Sequence, residues 1–197
     1  MTFANMSLKT LVATTLMACA LTSGAIAAEV SGIKFEDTAK VGGKELVLNG
    51  AGVRNKFIVK VYAAGLYLPE KVKTVTEVMK TEGPRRIKLV MMRDVTSDDF
   101  GSAFMAGLNQ NLDKAEKSKI VTQISKWGEM FAMLDALKKG DVLDLDYIPG
   151  SGTQSYLNGK KIGEVAPDVV FNNAILSIWL GDHPADLSLK PRLLGTK

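Results

Sequence analysis

Apolar residues run most persistently between Phe57 and Leu68. Phe57, Val59, Val61, Ala63 and Tyr67 form one row, and Ile58, Lys60, Tyr62, Ala64 and Leu66 form the other. Two largely apolar rows predict a strand covered on both sides, with Lys60 and Tyr62 as polar members of a single face. Shorter β-like runs precede it at Val30 to Phe35 and Lys44 to Leu48, separated by Gly42-Gly43 as in a hairpin. Asn49-Gly50-Ala51-Gly52-Val53-Arg54 then reads as a glycine-rich turn feeding the long strand. Arg86 to Arg93 is a further strand. Val142 to Ile148 alternates Leu143, Leu145 and Tyr147 with Asp144 and Asp146, the pattern of a half-exposed strand. Thr153 to Leu157 and Lys160 to Val165 flank Asn158-Gly159, a strong hairpin signal.

Helical spacing appears in between. Thr74 to Lys80 predicts a short helix stopped by Gly83-Pro84. Thr96 is an N-cap followed by Asp98 and Asp99, and Phe100, Phe104 and Leu108 give that helix an apolar stripe. A longer helix is expected from Ala115 to Lys138 with Ile120, Ile124, Trp127, Phe131 and Leu134 on one side, closed at Gly140. Pro167 opens another helix, running to Leu180, and a last short one covers Leu187 to Leu194. Strands and helices segregate in this way in α+β folds.

The first residues follow a different rule. Lys9 is the only charged residue before an apolar stretch from Leu11 to Leu21, and the small residues Ser23 to Ala28 follow. This is the anatomy of a secretory signal with an A-x-A site at Ala25 and Ala27. Residues 1–27 are therefore expected to be a signal peptide and residues 28–197 one domain, delivered to a bacterial periplasm. No other stretch has the roughly 20 apolar residues of a membrane-spanning helix. Leu16-Met17-Ala18-Cys19 leaves a lipoprotein with a lipidated Cys19 as the alternative. Cys19 is the only cysteine, so the expected mature chain holds no disulfide.

Composition removes several classes. Apolar content of 46% and charged content of 23% are globular values. The net charge of +4 is spread among acidic residues, with basic pairs and no tract, which argues against nucleic-acid binding. Phosphate-binding, zinc-protease and hydrolase motifs are absent, so neither a cofactor nor a catalytic residue is expected. A metal is not expected either. His183, the only histidine, has no partners at ligand spacing, and Asp141, Asp144 and Asp146 lack the rest of a calcium loop.

One group invites chemistry. Arg54 sits beside the glycine-rich segment, and the following strand presents Lys60 and Tyr62. A buried guanidinium needs a partner. Either Arg54 grips the carboxylate of a ligand, with Tyr62 donating a second hydrogen bond, or it pairs with an acid of its own chain. The residue pattern leaves these two open.

Gly50-Ala51-Gly52-Val53-Arg54, Lys60 to Leu68 and Ile178-Trp179-Leu180-Gly181-Asp182 resemble, in order, the sequence blocks of the chalcone isomerase superfamily. The resemblance implies an antiparallel β-sheet layered with helices, an open-faced β-sandwich with a ligand cleft between sheet and helices. It also implies that Arg54 is the arginine of that cleft. At positions where the plant enzymes carry a catalytic threonine, a tyrosine, an asparagine and a late hydroxyl, this chain carries Tyr62, Phe100, Gly107 and Ile178. The fatty-acid-binding branch also has tyrosine at the Tyr62 position. The expectation is a non-catalytic protein that binds a fatty acid or similar amphipathic carboxylate. Arg54, Tyr62 and Lys60 would lie at the head group, with Phe100, Gly107 and Ile178 along an apolar tunnel. The alternative is an isomerase or intramolecular lyase acting on another substrate.

Overall fold

The structure is a computed structural model that describes residues 26–197. The expected signal lies outside the described residues, except for Ile26 and Ala27. The chain order begins β1 (Ile26–Val30), β2 (Ile33–Glu36), β3 (Thr38–Val41), β4 (Lys44–Lys56), β5 (Val59–Leu68), α1 (Val75–Lys80) and β6 (Arg85–Met91). It continues with β7 (Val95–Thr96), α2 (Ser97–Asn111), α3 (Lys114–Lys119), α4 (Val121–Ala132), β8 (Ala136–Leu137) and β9 (Val142–Ile148). The remaining elements are β10 (Gly152–Leu157), β11 (Lys160–Ala166), α5 (Val169–Leu180) and α6 (Leu189–Leu193). Seven strands make one antiparallel sheet in the order β11-β10-β9-β6-β5-β4-β3.

The two rows of β5 explain the layering. Tyr62, Ala64, Leu66 and Leu68 face a core filled by Phe104, Trp127, Phe131, Phe171 and Ile175 of the helices. Ala63 and Tyr67 face the opposite side, where Phe35 packs with Leu46 and Leu48. The β1–β2 hairpin forms that second cover. Gly65 makes room for it, because a Cβ there would stand 2.7 Å from the Phe35 ring.

The fold corrects several sequence expectations. Val30 to Phe35 is not one strand; Ser31-Gly32 turns the chain there, with φ of 52° and 83°. Gly50-Ala51-Gly52 is not a turn but the interior of the thirteen-residue strand β4. A Cβ on Gly50 would collide with the Arg192 carbonyl oxygen, and one on Gly52 would lie 2.7 Å from Arg192 Cδ and 2.9 Å from Leu189 Cδ1. The glycines thus serve the close approach of α6. Asn49 ties the same junction, donating to Leu193 O (2.7 Å) and accepting from Val72 N (2.7 Å).

The long helix expected from Ala115 to Lys138 is broken at Ile120, whose ψ of 14° lies outside the helical run. Its side chain is buried in the helical core. The helix ends at Ala132, and Ala136–Leu137 pairs with Val95–Thr96 instead. Asp144 and Asp146 do not form a solvated face. Both are buried, and Arg86 grips Asp146 through Nε (2.5 Å) and Nη2 (2.6 Å). Burial raises the Asp144 carboxyl above its usual range despite Arg86 nearby. At the N-terminus of α5 the cap is Asp168, whose carboxylate accepts Val170 N.

Candidate functional site

The site starts from an irregularity in the β4–β5 ladder. Arg54 pairs with Tyr62, but Asn55 pairs with Lys60, which leaves Val61 as an extra residue. Such a bulge shifts the alternation of side chains by one. Val61 and Tyr62 therefore both face the helices, and Lys60 is thrown to the opposite side. There its ammonium donates to Ser31 Oγ (3.1 Å), away from the cleft. The expectation that Lys60 shares a face with Tyr62 fails for this reason. Nothing in the local sequence announces the bulge.

Arg54 and Tyr62 do come together. The guanidinium carbon lies 5.5 Å from the Tyr62 ring centroid. Among the described residues no carboxylate stands within ion-pair distance of Arg54, and its Nε is buried without a hydrogen-bond partner. Asp186, the acid tied to the adjacent backbone, is already engaged. It accepts Asn55 N (2.7 Å), Ser188 N (2.7 Å) and Leu189 N (3.3 Å). Although partial burial opposes ionisation, these donors hold its carboxyl below the usual range. The intramolecular pair left open by the sequence is therefore not formed.

The Tyr62 hydroxyl accepts from Trp179 Nε1 at 2.8 Å, leaving its own hydrogen free to be donated. Burial pushes this phenol up to about 12, against the opposing pull of Arg54 and of the Trp179 N–H. It is a neutral donor at any physiological pH.

Both groups open into a cleft of about 140 Å³ under α2 and α5. Val61, Phe100, Phe104, Ile178 and Trp179 form its apolar wall, and Lys56, Arg93, Asp94 and Asp99 stand around it. Asp94 is committed elsewhere, accepting Lys139 N (2.8 Å) and pairing with Lys138 Nζ (3.3 Å). Phe100 and Ile178 thus line the same cleft as Arg54 and Tyr62. Gly107 does not. It lies where α2 touches α5, and a Cβ there would stand 2.8 Å from Ile178 Cγ2. Ile178 consequently closes the cleft toward Gly107, and the expected tunnel is a short pocket. Lys56, Arg93 and Trp179 are cleft residues that the sequence reading did not single out. Only Trp179 had a signal, adjacent as it is to Ile178 in the family-like block.

The arrangement offers the unpartnered guanidinium of Arg54, with Lys56 and Arg93 as further cations, one neutral hydroxyl donor and an apolar wall. Among the described residues no cluster of three His, Cys, Asp or Glu could hold a metal. His183 lies in the loop after α5, where its backbone N–H donates to Asn111 Oδ1 and its carbonyl accepts Asn111 Nδ2.

Comparison with solved structures finds a fatty-acid binding protein of Arabidopsis thaliana at 17% identity and a TM-score of 0.64, covering 83% of this chain and 92% of that one. That likeness establishes the fold: a curled antiparallel sheet with helices, as the resemblance implied. No curated protein matches the chain. Comparison with protein families matches residues 27–195 to the chalcone isomerase-like proteins, and the chain belongs to that family.

Proposed function

We propose that this protein is an exported, non-catalytic binder of a small amphipathic carboxylate, held by its head group at Arg54. The observation that carries the reading is the unpaired guanidinium beside a free hydroxyl hydrogen at the end of an apolar cleft. A carboxylate there would take a charge-assisted bond from Arg54 and a second bond from Tyr62. The solved relative is itself named a fatty-acid binding protein, which supports a fatty-acid-like ligand. The size of the cleft narrows the choice. A cavity near 150 Å³ seats a benzene-sized group, and drug-sized pockets start at about 300 Å³. The cleft thus takes a head group and a few carbons; a longer chain would leave through the open mouth, since Ile178 blocks the side toward Gly107.

Calorimetry with saturated carboxylates of increasing length tests this reading. Arg54→Ala should weaken binding by about 2–4 kcal/mol and Tyr62→Phe by about 0.5–1.5 kcal/mol. Arg54→Lys should restore little, because an ammonium lacks the planar fork. Loss of thermal stability in Arg54→Ala, with no carboxylate bound by the wild type, would make the arginine a structural residue and sink the proposal. Saturable turnover of a chalcone, abolished by Arg54→Ala, would favour the isomerase instead. Export is read from the processed N-terminus: a chain starting at Ala28 supports the periplasmic assignment, and a lipidated Cys19 overturns it.

A further inference from the structure

The β4–β5 hairpin ends in a two-residue turn, Phe57-Ile58, and these two side chains are 93% and 97% exposed. Folding gives no reason for them. Neither is covered, and Phe57 sits at φ 56°, a left-handed conformation that disfavours residues with a Cβ. Tight hairpin turns favour Asn, Asp or Gly at such positions.

Around its tip the hairpin itself carries charges of one sign. Between Glu45 and Glu70 the chain contains no acidic residue, while Arg54, Lys56 and Lys60 stand on the hairpin itself. Lys56 and Lys60, both exposed, bracket the apolar pair. A third large apolar side chain belongs to the same end. Leu187 is 80% exposed and follows Asp186, whose carboxylate accepts the N–H of Asn55 at the base of the tip.

We propose that this tip is a wedge that docks the protein on an anionic lipid bilayer, with Phe57 and Ile58 entering the headgroup–acyl boundary and Lys56 and Lys60 contacting acidic headgroups. The shape selects this partner over a protein. A convex two-residue turn cannot bury the roughly 800 Å² per partner of a stable protein interface, whereas a bilayer accepts a projecting apolar tip framed by cations. The docking is interfacial; no helix among the described residues is long and apolar enough to cross a membrane. The wedge does not depend on what the cleft holds. Because Arg54 and Lys56 line the cleft from the same hairpin, docking would bring the cleft mouth to headgroup level.

The experiment is co-sedimentation of the full-length chain, as purified from expressing cells, with vesicles of equal parts phosphatidylcholine and phosphatidylglycerol. All variants share the same N-terminal residues, so differences between them report the tip. The double change Phe57→Ser, Ile58→Ser should reduce partitioning about 10- to 100-fold, with an unchanged melting temperature because both side chains are exposed. Lys60→Gln should reduce it about five-fold, and added salt or pure phosphatidylcholine should weaken it further. In Phe57→Trp, the new indole emission should shift to the blue on anionic vesicles and be quenched by spin-labelled lipid. Failure of the wild type to sediment with the vesicles overturns the proposal, as does undiminished sedimentation of the double variant. So does a dimer that dissolves in the double variant while vesicle binding persists, since the tip would then be a self-association surface.

Discussion

Tyr62 keeps its proton far into alkaline solution because the phenolate would have to form in a buried site. Its folded value of about 12 lies above the ordinary 10.0. The neutral form therefore stabilises the fold fully below pH 10, and this contribution is lost as the pH rises through about 12. Ultraviolet titration of tyrosinate should show two late ionisations, of Tyr62 and of the buried Tyr67, with the Tyr62 one missing in Tyr62→Phe, and Arg54→Ala should move the Tyr62 ionisation later still by removing a nearby positive charge. If Tyr62 titrates near its ordinary 10.0, the cleft is wetter than its geometry implies. At this scale the residue pattern was informative about Arg54 and Tyr62, because a charge or a hydroxyl next to an apolar run limits where it can go, whereas Phe100 and Ile178 were placed at the cleft by the family resemblance alone. Lys60 escaped, since a single extra residue at Val61 reverses a face and leaves the composition of the strand unchanged.

Between elements, Gly107 decides how α2 and α5 meet. Gly107→Ala adds about 1 kcal/mol of helix propensity but places a methyl 2.8 Å from Ile178 Cγ2, and overpacking costs about 1–3 kcal/mol. We expect net destabilisation of about 1 kcal/mol by chemical denaturation, which should largely vanish when Gly107→Ala is made in an Ile178→Ala background, itself less stable by about 2–5 kcal/mol. Additive effects would mean that the helices do not touch at this point. The family resemblance made the same position a lining residue of a tunnel, and it could not say that the Ile178 side chain fills the space the glycine leaves. Helix starts were more legible. Thr74, Thr96 and Asp113 cap α1, α2 and α3 by accepting the N–H groups of Glu77, Asp99 and Glu116. Such short-range hydrogen bonds are written in neighbouring residues. The end of α4 was not, because its pairing of Ala136–Leu137 with Val95–Thr96 is a long-range event.

For the molecule as a whole, the junction of β4 with α6 is where distant sequence is brought together most closely. Gly50→Ala would set a Cβ against the Arg192 and Leu193 carbonyl oxygens. Backbone atoms cannot rotate away, so we expect about 2–4 kcal/mol lost, read as a lower melting temperature. Unchanged stability would show that α6 lifts off without penalty. The layered architecture itself was legible, since alternating runs, hairpin signals and amphipathic helices each declare a buried face. The meaning of the glycines was not, because a turn and a close approach ask for the same residue. Their true role bears on timing. Asn49 and Leu193 are 144 residues apart in sequence, and contacts of such separation form late because the loop between them must first close. Until residues 189–193 arrive, the face of β4 that Gly50 and Gly52 present is bare and uncovered, and glycine holds an extended conformation poorly. The wall that aims Arg54 is thus among the last parts to set. If the chain is exported as proposed, threaded N-terminus first through a membrane pore, it would emerge almost completely before this wall locks, and until then it would remain pliable enough to pass and open to proteases on the far side.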